Sequence, residues 1–313
     1  MEPVARRTQM QGRGGTDREL HRGADGDERV RLWPGTFLDA SYFEALGMVQ
    51  RHRAVAVEAA RKGGGERVLS HLSALAVHGV PMLDPDLRRI HFTSAVNARR
   101  TRYVIRHQAQ LASDEVCAVD GVMVTTLERS LCDAARLGSF DQAVVLLDAG
   151  LRMGADPAVL AATIDRLSGC SGIARLRDAF SFADPLSESV GESFSRSTMS
   201  LFPEVPTPRL QVNIFDADGK FIARPDFLIG TVVGEFDGLV KYSGGLGDDS
   251  PSEVVVKEKL REDALRAEGY VVCRWIWRDL REPARLRRIL HRALAAAGMA
   301  LAPAIPHKHT TFG

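Results

Sequence analysis

A ten-residue stretch in the C-terminal third most constrains the fold. From Asp226 the chain runs Phe-Leu-Ile, then Gly230-Thr231, then Val-Val-Gly, and arrives at Glu235. Two short apolar runs separated by a glycine turn predict two antiparallel strands. Pairing through that turn sets Asp226 and Glu235 side by side at one sheet edge. Two carboxylates so placed repel and desolvate each other, and a bound cation is the simplest relief. Oxygen-only ligands select a hard ion, Mg2+ or Mn2+. Side chains alternate along a strand, so Glu235 and Asp237 share a face and Phe236 takes the other. Asp237-Gly238 then turns the chain and presents Lys241 to steady developing charge on a phosphate. Strand-end acids and Asp-Gly turns are also ordinary structural features, and the spacing alone leaves both readings open.

The rest of the 313 residues is long enough for two domains. Residues 1–29 are Gly- and Arg-rich with almost nothing apolar, so they read as a disordered tail. Residues 30–180 read as a mixed α/β domain. It opens with a strand, a turn at Pro34-Gly35 and a second strand. A helix begins with Ser41 as N-cap and ends at Gly63–Gly65, and a further helix runs over about 68–79 to Gly79. Two β-rich segments follow (IHFTSAV and RYVIRHQAQL), then a strand-to-helix switch capped by Thr126 and an amphipathic helix over DQAVVLLDAGLRMG. The polar bridge at 178–189 marks the domain boundary. Beyond it, residues 187–300 read as helix, hairpin about Asp218-Gly219, strand, long charged helix ending at Gly269, buried strand and closing helix. Residues 301–313 read as a flexible C-terminus.

No apolar run reaches the roughly 18–20 residues a membrane span needs, and the N-terminus has no apolar signal-peptide core. The expectation is a cytoplasmic protein with no membrane partner. Cys117, Cys132, Cys170 and Cys273 stand far apart with no CxxC pair, which points to free thiols in a reducing compartment. The formal net charge of +1 neither demands nor excludes nucleic acid, so local charge must decide.

In the C-terminal part, four elements occur in order: Glu192-Ser-Phe-Ser-Arg196, Arg224-Pro-Asp226, Glu235-Phe-Asp-Gly-Leu-Val-Lys241, and Arg261-Glu-Asp-Ala-Leu265 with Gly269-Tyr-Val-Val-Cys-Arg274. Over about residues 187–280 this resembles the PD-(D/E)XK nuclease family, in the branch similar to very-short-patch-repair endonucleases. The resemblance implies a restriction-endonuclease-like α/β/α domain with Asp226 and Glu235 as metal ligands. It also implies Glu192 and Lys241 as catalytic partners, and Arg261 and Arg274 along a phosphate path. Glu188, one turn before Glu192, competes for its role. The signature's usual lysine two residues after the glutamate is Asp237 here, with Lys241 the nearest basic substitute. Arg224, Arg285 and Arg288 are further candidates for nucleic-acid contact, the last two within the run Arg285, Arg287, Arg288, His291, Arg292. Trp275 and Trp277 alternate along the expected strand, core packing being the default.

Upstream, Ser70-His71, Ser73-Ala74, His78-Gly79, Gly121, Thr125-Thr126, Arg129-Ser-Leu-Cys-Asp133 and Asp148-Ala149 resemble the AbiEi-type antitoxin family of type IV toxin–antitoxin systems, over about residues 66–152. That resemblance implies a DNA-binding wing, of which the Val30–Ala40 hairpin is the residue, and a toxin partner. His71 and His78, seven apart on one helix, are read as structural, because no third ligand stands at a suitable spacing. The expected activity is metal-dependent phosphodiester hydrolysis on DNA. The alternative is a non-enzymatic DNA-binding transcriptional regulator or antitoxin.

Overall fold

A computed structural model of the chain describes residues 4–6, 29–63, 67–238 and 251–301. The fold is mixed α/β. It divides into two compact units, Met1–Gly138 with Gly154–Arg177, and Ser139–Met153 with Asp178–Gly313. No helix among the described residues is long and apolar enough to cross a membrane.

The first unit holds a six-stranded sheet in the order Arg99–Arg100, Val104–Gln108, Ile90–Ser94, Val68–Leu69, Val122–Thr125, Val116–Val119. One face packs Leu69, Ile90, Phe92 and Val124 against Ala56 and Ala59 of the helix Met48–Lys62 and Ala74 and Val77 of the helix His71–His78. Small residues on both helices let them approach the sheet closely. A separate three-stranded sheet pairs Arg29–Trp33 and Val4–Arg6 on either side of Thr36–Asp39. Its hairpin turns at Pro34-Gly35, with Gly35 at φ +73°. Residues 4–6 thus form a strand inside the stretch read as a disordered tail. Backbone pairing onto a free hairpin edge requires little apolar surface. The remainder of that stretch up to residue 28, and residues 302–313, lie outside the described residues.

Three helix readings are corrected. The segment after Ser41 is two helices, Ala40–Ala45 and Met48–Lys62, interrupted where Gly47 is extended. Asp39, not Ser41, caps the first by accepting the Tyr42 N–H at 3.0 Å. The helix expected from about residue 68 starts only at His71, because Val68–Leu69 is drawn into the sheet between Ile90–Ser94 and Val122–Thr125. The closing helix is also two, Trp277–Arg281 and Pro283–Ala296. Pro283 restricts Glu282 before it and starts the second segment as its first residue.

In the second unit a four-stranded sheet runs Arg209–Leu210, Phe227–Ile229, Val232–Asp237, Val271–Ile276. The first three strands are antiparallel and the last is parallel to Val232–Asp237. The two-residue turn Gly230-Thr231 places Gly230 at φ +59°, the conformation that a tight hairpin demands of its first turn residue. One face, with Leu228, Val233 and Val272, packs on Leu265 of the helix Pro251–Ala267. On the opposite face Trp275, 1% exposed, donates its indole N–H to Ser195 of the helix Val190–Met199 at 2.7 Å. Gly234 allows this: a Cβ there would lie 2.6 Å from the Trp275 ring. The strand ends at Ile276, so Trp277 begins a helix rather than alternating with Trp275. The helix Phe140–Arg152, read from sequence as part of the 30–180 domain, belongs to this unit. Its buried Asp148 is bonded by Arg196 of the helix Val190–Met199, a partner its apolar pattern does not reveal.

Candidate active site

Asp226 immediately precedes the strand Phe227–Ile229, and Phe227 pairs with Gly234. Continuing that register places Asp226 beside Glu235, the arrangement expected from the glycine turn. Partners across a ladder share a face, and this face is the one that carries Leu228 and Val233 toward the helix Pro251–Ala267. Leu265 of that helix fills the core, and Arg261, one turn earlier on the same side, reaches Glu235. Its Nη1 donates to Oε1 at 2.7 Å and its Nη2 to Oε2 at 3.0 Å. The parallel register also sets Glu235 opposite Arg274, whose Nε donates to Oε2 at 3.0 Å. Glu258 and Glu262 complete the network: Arg261 bonds Glu258, and Arg274 bonds both. Hydrogen bonding from Arg261 pulls the Glu258 carboxyl below its ordinary range, and bonding from Arg274 does the same to Glu262.

Asp226 is in a different electrostatic state. Burial pushes its pKa up to about 6, and the charges of Glu192, Glu235 and Glu188 push in the same direction. The opposing influence is the Phe236 amide, which donates to Oδ2 at 2.9 Å. Oδ1 has no hydrogen-bond partner among the described residues.

Glu192 arrives from the other side of the sheet, in the first turn of the helix Val190–Met199. Ser189 caps that helix by accepting the Glu192 N–H at 3.1 Å. Every residue from Gly191 to Met199 is buried, and the helix tolerates its polar content because Ser195, Ser197 and Thr198 return their hydroxyls to helix carbonyls. Glu192 Oε2 accepts the Glu188 N–H at 2.8 Å and the Gln211 side-chain amide at 3.0 Å. Gln211 is a contact that the sequence reading missed. Arg196 turns away from Glu192 and bonds Asp148, Phe182 and Ser187. Glu188 is exposed and ion-paired with Arg224 at 2.6 Å, so of the two glutamates it is Glu192 that is buried beside the sheet. Among the described residues no three carboxylates bring ligand oxygens within 4.8 Å of one another.

The sequence matches no family model and no curated protein. Among solved structures it is similar to the RV2827C protein from Mycobacterium tuberculosis, at 17% identity over 68% of this chain and 83% of that chain, with a TM-score of 0.35.

Lys241 lies outside the described residues. The C-terminal basic run is less unbalanced than its sequence implies. Arg285 pairs with Glu282, while Arg287 and His291 both bond Glu204. Arg288 and Arg292 are exposed and have no acidic partner among the described residues. All four cysteines are free. Burial pushes the Cys132 and Cys273 thiols up to about 12, away from nucleophilic use.

Proposed function

We propose that the chain is a metal-dependent, DNA-acting protein of the PD-(D/E)XK nuclease type, cytoplasmic and employed in defence or on mobile elements. The observation that carries this reading is Asp226, a half-buried carboxylate whose pKa stands at about 6 among three other carboxylates, with Oδ1 unpartnered among the described residues. Such a group gains from a cation, and the carboxylate oxygens around it fit Mg2+ or Mn2+. When bound, that ion would supply an activated water for phosphodiester hydrolysis. Asp226 and Glu235 would hold it. Glu192, fixed by Gln211 and the Glu188 amide, would orient the water from the side. Arg261 and Arg274 fix Glu235 and set positive charge beside it, where a phosphate approaches. Lys241 is assigned to steady the developing charge, and Arg224, Arg285 and Arg288 to the DNA backbone.

The experiment is incubation of the purified chain with plasmid DNA and Mg2+ or Mn2+, alongside Asp226→Ala and Glu235→Ala. Nicking or linearisation by the wild type alone is expected. Equal inertness of all three on DNA and RNA would defeat the enzymatic reading.

A second reading has its own observation. Both Glu235 oxygens are already engaged by arginines, and Asp237 stands where the nuclease signature has lysine. A domain so arranged serves as a non-catalytic phosphate-binding module of a transcriptional regulator or antitoxin with a toxin partner. It predicts DNA retention in a mobility-shift assay without divalent cation and without cleavage.

A further inference from the structure

The first unit contains a cluster of three histidines that sequence spacing does not disclose. His71 opens the helix His71–His78 just after the strand Val68–Leu69, whose register continues through Ser70 to His91. His107 is opposite Thr93 in the parallel pair formed by Ile90–Ser94 and Val104–Gln108. Period-two alternation puts His91, Thr93 and His107 on the same face, away from the core side that holds Ile90 and Phe92. The ring of His71 stacks on that of His107 with centroids 3.6 Å apart. One nitrogen from each histidine lies within 4.8 Å of the other two.

The polar accounting of this cluster does not close. His71 is 1% exposed, and its Nδ1 is engaged by Ser70 Oγ at 3.0 Å. Its Nε2 is buried and has no hydrogen-bond partner among the described residues, and the same is true of the hydroxyl of Thr93, next to His107 in the ladder. Two orphaned polar atoms in one buried cluster are expensive unless something binds them. Burial lowers the pKa of His71 far below its ordinary value, that of His91 to about 3, and that of His107 as well. A neutral imidazole is the form that donates a lone pair to a metal. Ser70 acts as an outer partner that commits one ring nitrogen of His71 and leaves the other for a ligand role. His91 Nδ1 and His107 Nε2 are 3.0 Å apart, close to the roughly 3.3 Å between nitrogens sharing a tetrahedral Zn2+ at about 2.0–2.1 Å bonds. His107 is only part-buried, which gives an ion a route in. The charged groups felt by the cluster are Arg129, Arg136 and Asp133, with Asp86 and Arg89 on the His91 side. Arg129 and Arg136 are both tied to Asp133.

We propose that His71, His91 and His107 form a binding site for a borderline divalent transition ion, Zn2+ foremost, with a fourth position for water or an anion beside Thr93. Imidazole-only ligation selects Zn2+, Co2+, Ni2+ or Cu2+ over Mg2+. The site is independent of the carboxylates around Asp226.

The test is titration of the metal-stripped full chain with Co2+, followed by optical absorption, and with Zn2+ in competition against a chromogenic chelator. Wild type and Asp226→Ala are both expected to show the intense visible bands of one four-coordinate, nitrogen-ligated Co2+ per chain, whatever the carboxylates around Asp226 bind. His91→Asn and His107→Asn, checked for folding by circular dichroism, should lose those bands and bind at least about tenfold more weakly. Ser70→Ala keeps all three ligands and should weaken binding by about tenfold, the scale of an outer-partner loss. A folded wild-type chain that binds neither ion overturns the proposal whatever the variants do. So does unchanged binding in the histidine variants. Either result leaves the trio as a stacked, hydrogen-bonded cluster.

Discussion

Arg261 closes on Glu235 with two parallel bonds, Nη1 to Oε1 at 2.7 Å and Nη2 to Oε2 at 3.0 Å. The glutamate side chain is 15% exposed and the arginine 26%, so solvent screens the pair only in part. Hydrogen bonds to charged groups contribute about 1.5–3 kcal/mol each, and exposed pairs less than about 1. Arg274 remains on Glu235 when Arg261 is removed. Arg261→Met is therefore expected to lose about 1–2 kcal/mol in urea unfolding. Glu235→Gln should cost measurably less in the Arg261→Met background than alone, and additive losses would show that the two residues are not coupled.

A larger loss is expected at Arg196. Its Nη2 donates to both oxygens of Asp148 at 2.8 Å, and the Asp148 carboxylate is fully buried. Removing the cation strands a buried charge, which typically costs about 3–5 kcal/mol. Arg196→Met should lower stability by that amount. Asp148→Leu combined with Arg196→Met should recover most of it, since an apolar pair of similar volume replaces the ion pair. A double variant as unstable as the single one would assign the loss to packing instead.

These two arginines show what the sequence discloses. The hairpin around Gly230 is legible because a glycine turn between apolar runs is local information, and its register brings Asp226 to Glu235. The Glu235–Arg274 neighbourhood depends on a parallel register set 39 residues away, which periodicity does not encode. Arg196 illustrates the same limit: the i,i+4 spacing suggests Glu192 as its partner, while tertiary packing gives it Asp148. His71 was visible, but its companions His91 and His107 come together only through the parallel pairing of their strands. His78, the partner suggested by spacing, instead bonds the Thr125 carbonyl at 2.8 Å. Gly47 does not read as a break, because apolar residues continue on both sides of it.

Gly191 poses a contest between backbone propensity and space. Gly191 is the second residue of the helix Val190–Met199, where the advantage of alanine over glycine is at most the roughly 1 kcal/mol of a helix interior. Here an added Cβ would lie 1.9 Å from Cε1 of Phe236, whose ring packs edge-on against Trp277 with centroids 5.1 Å apart. Overpacking of this kind costs about 1–3 kcal/mol. The overlap is too deep for small adjustments, so space wins and Gly191→Ala should destabilise the protein by about 1–2 kcal/mol. Adding Phe236→Ala should remove the clash and bring the cost of the glycine substitution close to zero or below.

Asp226 makes the most direct prediction about the site. Its pKa is about 6 in the folded chain, against about 3.9 in an unfolded one. Between those values the native state holds more protons than the unfolded state, so stability falls as pH rises. The favourable contribution is complete below about pH 4 and gone above about pH 6, leaving ionised Asp226 on the order of 2–3 kcal/mol unfavourable after allowance for residual solvent. Asp226→Asn removes the charge while keeping an oxygen to accept the Phe236 amide. The variant should match wild type at pH 4 and exceed it by about 2 kcal/mol at pH 8. Taking the difference between the two proteins cancels the other titrating acids, Asp141 and Asp148 among them, whose burial also raises their pKa values. Mg2+ or Mn2+ at pH 8 should raise the wild-type melting temperature and leave Asp226→Asn nearly unmoved, because the ion supplies the counter-charge that the substitution makes unnecessary. A stability difference that stays flat from pH 4 to 8 would mean that Asp226 ionises at an ordinary carboxylate pKa, and the electrostatic basis for a cation at this edge would be lost.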